Sequence, residues 1–203
     1  MQFWRKICAA YWWLPLIGFY LVEIFHQVGH LTAGWLTGAR LGQIELGPWQ
    51  LPQTVWAGNP HPGWTVWGGS VIGVLLPLLG WRLLRRWRYA CFTQWLAGFA
   101  LAANGIYLAV GYVFMIGDTL TMRQGGVPGW LTLIVGLAAL VCGIGMWQGL
   151  GKAFFELAGL RVWYWLSAAM LTVITFYYTI VGTDLVAEVL HKALLPESAV
   201  GQF

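Results

Sequence analysis

Charge is the scarcest property of this chain. Only 9% of its 203 residues are Asp, Glu, Lys or Arg, whereas soluble domains carry about 25%. That excludes an ordinary water-facing surface. Cysteine is scarce too. Cys8, Cys91 and Cys142 stand apart in apolar segments with no CxxC pair, which argues against a disulfide framework or a cysteine metal site. The net charge of +4 is small and spread over loop arginines, so no nucleic acid partner is expected. Met1 to Leu16 has Arg5 and Lys6 ahead of its apolar run but no small-residue cleavage site. It does not read as a cleaved signal peptide. No long-period repeat is visible.

What the chain has in quantity is apolar sequence, 59% of its residues. Crossing a ~30 Å hydrocarbon core takes ~20 mostly apolar residues. Stretches at 9–36, 65–84, 90–117, 129–150 and 162–182 meet that need. They predict an all-α membrane bundle of about five spans, one integral membrane domain over 1–203 with the lipid bilayer as its surroundings. From 183 to 203 the chain turns polar through Asp184, Glu188, His191 and Lys192, and an amphipathic tail is expected there. Gly69 with Gly73, and Gly145 with Gly149, are small-residue pairs of the kind that let helices approach closely in lipid.

Basic residues set an expected orientation. Arg5, Lys6, Arg82, Arg85, Arg86, Arg88, Lys152 and Arg161 fall on one side of these spans, and Arg40, Arg123 and Lys192 on the other. The N-terminus is therefore expected in the cytoplasm and the C-terminus outside. Trp12, Trp13, Trp81, Trp87, Trp163 and Trp165 lie near inner span ends, and Trp35, Trp56, Trp64 and Trp130 near outer ones, as indole rings prefer. The longest loop, Gly38 to Gly63, alternates through Leu41, Gly42, Gln43, Ile44, Glu45 and Leu46, breaks at Gly47-Pro48 and offers a return strand over Gln53 to Trp56. A small β-hairpin at the membrane surface is expected.

The chemistry concentrates in the first span, in Glu23-Ile-Phe-His26-Gln27-Val-Gly-His30. At about 100° per residue these four polar side chains share one helix face. His26 and His30, four apart, are neighbours on it and are spaced to hold one zinc ion. Polar groups inside a span are costly and mark function. Asp118, at the end of the third span, is the best third ligand. Asn104, Gly111 and Asp118 recur every seven residues, and the first and third spans both run outward. The plainer alternative leaves both histidines paired with water or other helices and Asp118 at an interfacial helix end.

His26-Gln27-Val28-Gly29-His30-Leu31, then Gly38-Ala39-Arg40 and Ile44-Glu45-Leu46-Gly47-Pro48, resemble the site-2 protease family of intramembrane zinc metalloproteases. The likeness is strong over residues 20–48 and weaker over Gly68 to Gly73 and at Gly117-Asp118. It implies zinc held by His26, His30 and Asp118. It also implies a β-structured membrane loop, transmembrane segments of other proteins as partners, and peptide-bond cleavage in or beside the membrane. Two departures stand out. Gln27 occupies the place of the family's glutamate general base, and an amide cannot take a proton from the attacking water. Glu23, one turn earlier, is the candidate substitute, at a position the family mechanism does not use. The asparagine, proline and Asp-Gly pattern around the family's third ligand is absent, since Asp118 precedes Thr119. The outward-facing site also differs from the cytoplasm-facing one of many members.

The reading is thus a zinc-binding, site-2-protease-like membrane metalloprotein, a hydrolase fold catalytically impaired by Gln27. Its alternatives are a non-catalytic subunit or assembly factor of a larger membrane complex, and an active-family protease carrying an inactivating substitution. A di-iron carboxylate site is a chemical rival, because Glu23-x-x-His26 and Glu188-x-x-His191 are two Glu-x-x-His units. It lacks further glutamates on neighbouring spans: Glu45, Glu156 and Glu197 do not qualify. A channel or transporter is disfavoured because no further intramembrane charges line a path. His61, in the long loop, reads as an interfacial residue.

Overall fold

The computed structural model describes residues 2–45, 53–158, 162–164, 166–167 and 169–170. Helices α1 (Gln2–Tyr11) and α2 (Leu14–Leu36) come first, followed by strands β1 (Arg40–Glu45) and β2 (Gln53–Gly58). Then come α3 (Pro62–Leu84), α4 (Ala90–Phe114), α5 (Gly117–Gln124), α6 (Gly129–Met146) and α7 (Leu150–Leu157). Among the described residues, four apolar helical stretches are long enough to cross a membrane: Cys8–Leu36, Pro62–Leu84, Ala90–Phe114 and Gly129–Met146. The expected fifth span, 162–182, falls largely outside the described residues. The tail at 183–203 does so entirely, and with it Glu188, His191 and Glu197.

Two compact units share the chain. The larger, Leu14–Leu157, holds α2 to α7. In the smaller, the Tyr11 and Trp163 rings meet with centroids 5.6 Å apart, and the Ser167 hydroxyl lies 2.7 Å from the Ala10 carbonyl oxygen.

Glycine decides how the larger unit packs. Where α2 meets α3, a Cβ on Gly29 would run into the backbone of Gly68 and Gly69, and one on Gly73 would lie 3.2 Å from the His26 Cα. The expected Gly69/Gly73 pair therefore does face a neighbouring helix. For the Gly145/Gly149 pair, a Cβ on either meets nothing within 4 Å among the described residues. The α4–α6 contact instead uses Gly98 against Gly143 and Gly105 against Gly136. Four-residue spacing alone did not reveal which helix face was covered. Without a hydrophobic drive between helices in lipid, such backbone approach supplies the dispersion contacts that hold spans together.

The expected hairpin is present. β1 and β2 pair antiparallel, with Ile44 opposite Thr54 and Leu41 opposite Trp56, and the register shifts near Leu41. Trp56 lies on α2 at Gly34, where a Cβ would overlap its indole. The hairpin is thereby pinned to the helix that carries the histidines.

The third span ends earlier than its apolar run suggests. Met115 takes a left-handed conformation at φ 58°, and its N–H bonds the Gly111 carbonyl at 2.8 Å. Gly117 follows at φ 57°. Asp118 therefore does not terminate α4. It lies in the first turn of α5, where a carboxylate complements the helix dipole.

Candidate metal centre

His26 and His30 project from one face of α2, and both are buried, 8% exposed. Their rings meet edge to face with centroids 4.6 Å apart. Asp118 reaches them from α5. Its Oδ2 lies 2.9 Å from His26 Nε2 and 3.3 Å from His30 Nε2. Ligand atoms of all three residues lie within 4.8 Å of one another.

The far side of each imidazole is fixed. His30 Nδ1 lies 2.8 Å from the Thr65 carbonyl oxygen, which can only accept. His26 Nδ1 lies 3.2 Å from Asn104 Oδ1. The Asn104 amide is itself oriented, because its Nδ2 donates to the Ala100 carbonyl at 2.9 Å. Both Nδ1 atoms therefore carry protons, and both Nε2 atoms face one carboxylate oxygen. A neutral ring would point its Nε2 lone pair at that oxygen, which is repulsive at these distances. A second proton on each ring, or a cation among the three groups, removes the repulsion. With protons there, burial pushes the Asp118 carboxyl up, but hydrogen bonds donated by His26 and His30 outweigh it and hold it down to about 2. Hydrogen bonding of a histidine's second nitrogen is also how metal-binding imidazoles are oriented.

Space for an ion is kept by glycine. A Cβ on Gly69 would stand 2.6 Å from His30 Nε2 and 2.8 Å from His26 Nε2. Asp118 is held by its backbone, whose N–H donates to the Tyr107 hydroxyl oxygen at 2.9 Å. The group opens onto a cavity of about 680 Å³. Gln27 and Glu23 both line that cavity. Gln27 is 5% exposed, and its Oε1 accepts a hydrogen bond from the Thr54 hydroxyl at 2.8 Å. Glu23 is half-buried and lies outside the three-ligand group. His61 is elsewhere, at the start of α3, and lines a separate cavity with Trp64 and Trp67.

Five contributors were not assigned by sequence reasoning. Thr54, Thr65 and Tyr107 carried no signal. Asn104 was visible only as a member of the seven-residue stripe, and Gly69 only as a packing residue. A lone asparagine amid the apolar residues of α4 was the clue most open to use.

No protein-family model matches the chain, and no curated protein or solved structure does so either. The chain is a multi-pass membrane protein with a His26, His30 and Asp118 group that can hold a metal ion.

Replacing both His26 and His30 by alanine should abolish metal binding, measured as metal per purified chain. Equal content in the double variant would exclude the site. Asn104→Ala should keep the ligands but weaken metal affinity by about 10- to 100-fold, since it frees the His26 ring. Competition with a chromogenic chelator measures that loss.

Proposed function

We propose that this chain is a site-2-protease-like membrane metalloprotein that binds one zinc ion at His26, His30 and Asp118 and is hydrolytically impaired by Gln27. The observation that carries the reading is the convergence of the His26-Gln27-Val28-Gly29-His30 helix with Asp118 beside a membrane hairpin. The donor set suits zinc. Bonds of ~2.0–2.1 Å at tetrahedral angles set ligand atoms roughly 3.3 Å apart, and the two Nε2 to Oδ2 separations are 2.9 and 3.3 Å. Two imidazoles and one carboxylate also leave a position open, as catalytic zinc sites do.

When bound, zinc would act as a Lewis acid toward a carbonyl and lower the pKa of water. Proton transfer is left to the chain's own residues. His26 and His30 are oriented by Asn104 and Thr65 through Nδ1 and would give their Nε2 lone pairs to the ion, so neither is available as a base. Gln27 is oriented by Thr54 and faces the same cavity, but its amide has no basic lone pair. Asp118 is engaged by both histidines. Peptide hydrolysis needs a proton acceptor near the attacking water, worth ~10²–10⁴-fold, and position 27 does not provide one. A non-catalytic binder of transmembrane segments, within a larger membrane complex, is the reading to which a failed rescue would lead.

Gln27→Glu tests this directly. The substitution keeps an oxygen for Thr54 and adds a second, basic one. Cleavage of a helix-destabilised transmembrane substrate should rise by about 10²-fold or more. No gain with zinc still bound would favour the binding scaffold over the disabled enzyme.

The site is proposed to face outward, from the excess of arginine and lysine at the opposite ends of the spans. Ala57 in β2 is exposed. In a background lacking Cys8, Cys91 and Cys142, Ala57→Cys should react with a membrane-impermeant maleimide in intact cells. Reaction only after permeabilisation would reverse the orientation.

A further inference from the structure

Tyr107 is not needed as a ligand or as the base, yet it contacts both His26 and Asp118. It projects from α4, its ring stands edge-on to His26 with centroids 5.7 Å apart, and it lines the cavity with Glu23 and Gln27. Its hydroxyl oxygen accepts the Asp118 backbone N–H at 2.9 Å. The turn before Asp118 is shaped around it. Gly117 has a positive φ of 57°, and a Cβ there would collide with the Tyr107 hydroxyl.

A phenol has one hydrogen to donate and lone pairs to accept with. Accepting from Asp118 uses a lone pair and leaves the hydroxyl hydrogen. Among the described residues no acceptor for that hydrogen is found, and Tyr107 is half-buried at the cavity wall. Because Tyr107 lines the cavity, that hydrogen is placed to meet an oxygen that arrives with a ligand. Asp118 fixes the oxygen of the phenol, and His26 packs against its ring. The donor is thus held by two of the groups that would hold the metal.

We propose that Tyr107 is a ligand-recognising donor of this centre. It gives its hydroxyl hydrogen to an oxygen of a carbonyl, carboxylate or hydroxamate bound in the cavity next to the metal position. This rests on the metal-centre reading above. It adds a polarising contact on the α4 side, across from the Gln27 position on α2, and that contact is independent of whether position 27 can act as a base.

The test uses the full-length protein in detergent, loaded with Co²⁺, whose visible absorption reports both the metal and its ligands. Acetohydroxamate is the probe. Compared at saturating cobalt, Tyr107→Phe should weaken acetohydroxamate binding about tenfold or more, the scale of a hydrogen bond to a charged acceptor. p-Aminophenylalanine at position 107 restores a donor and should recover most of that affinity. Unchanged acetohydroxamate affinity in Tyr107→Phe, with cobalt bound, would overturn the donor role alone. Weakened acetohydroxamate binding that p-aminophenylalanine does not recover, with cobalt bound, would confine the hydroxyl to holding Asp118 and also overturn it. Failure of the wild-type chain to take up cobalt would overturn the metal reading, and this proposal with it.

Discussion

How closely α3 approaches α2 sets what the two histidines can do. Gly29 and Gly68 oppose each other with no room for a Cβ on either. At that separation the Thr65 carbonyl, one turn before Gly69, comes within 2.8 Å of His30 Nδ1. Gly69 itself lies over both Nε2 atoms. A larger residue at any of these glycines would push α3 outward, withdraw the acceptor and fill the space between the imidazoles. The backbone contact and the chemistry are therefore one constraint. The glycines that hold two spans together also expose the nitrogens and keep their surroundings open.

The same constraint explains why the polar groups can stay in an apolar bundle. In lipid an unpaired polar group costs several kcal/mol. His30 meets Thr65, His26 meets Asn104, and Asn104 meets Ala100 of its own helix. Asp118 closes the set from α5, with its backbone on Tyr107 and its carboxylate on both rings. Each partner comes from a different turn or helix, so the network exists only when α2, α3, α4 and α5 are all docked. A half-formed version would leave buried donors unpaired, which favours one arrangement of the bundle over others.

Much of this was legible in the sequence. The four spans with described residues followed from apolar length, the hairpin from alternation around Gly47-Pro48, and the histidine pair from four-residue spacing on a helix. Asp118 was reachable by counting which ends of the spans share a membrane side. Its exact setting was not, because the left-handed turn at Met115 and Gly117 is a local backbone choice inside a continuous apolar-to-polar transition. Thr65, Asn104 and Tyr107 were hidden for another reason. Their roles depend on which faces of three helices meet, and in spans that are apolar all round, periodicity carries no face signal. Gly145 and Gly149 show the same blindness from the other side: they have the spacing of a contact but face none among the described residues.

Gln27 can be understood from the charge of the cavity. A divalent ion at the histidines would be opposed by one formal negative charge from Asp118. A glutamate at position 27 would supply a second, but the amide there supplies none. Among the described residues, Glu23 is the other acid lining the cavity, one helical turn before Gln27 on the same face of α2. A carboxylate at 23 would still attract the ion, because Coulomb interaction reaches beyond hydrogen-bonding distance. Proton transfer is far less tolerant, since it needs hydrogen-bond reach of the attacking water. Moving the charge by one turn therefore separates two properties that a single glutamate would combine. Under the proposed function, electrostatic support for a metal would be retained while the short-range chemistry for using it would be weakened. Thr54 engages the Gln27 oxygen from β2, which ties the hairpin to the face of α2 that carries both histidines.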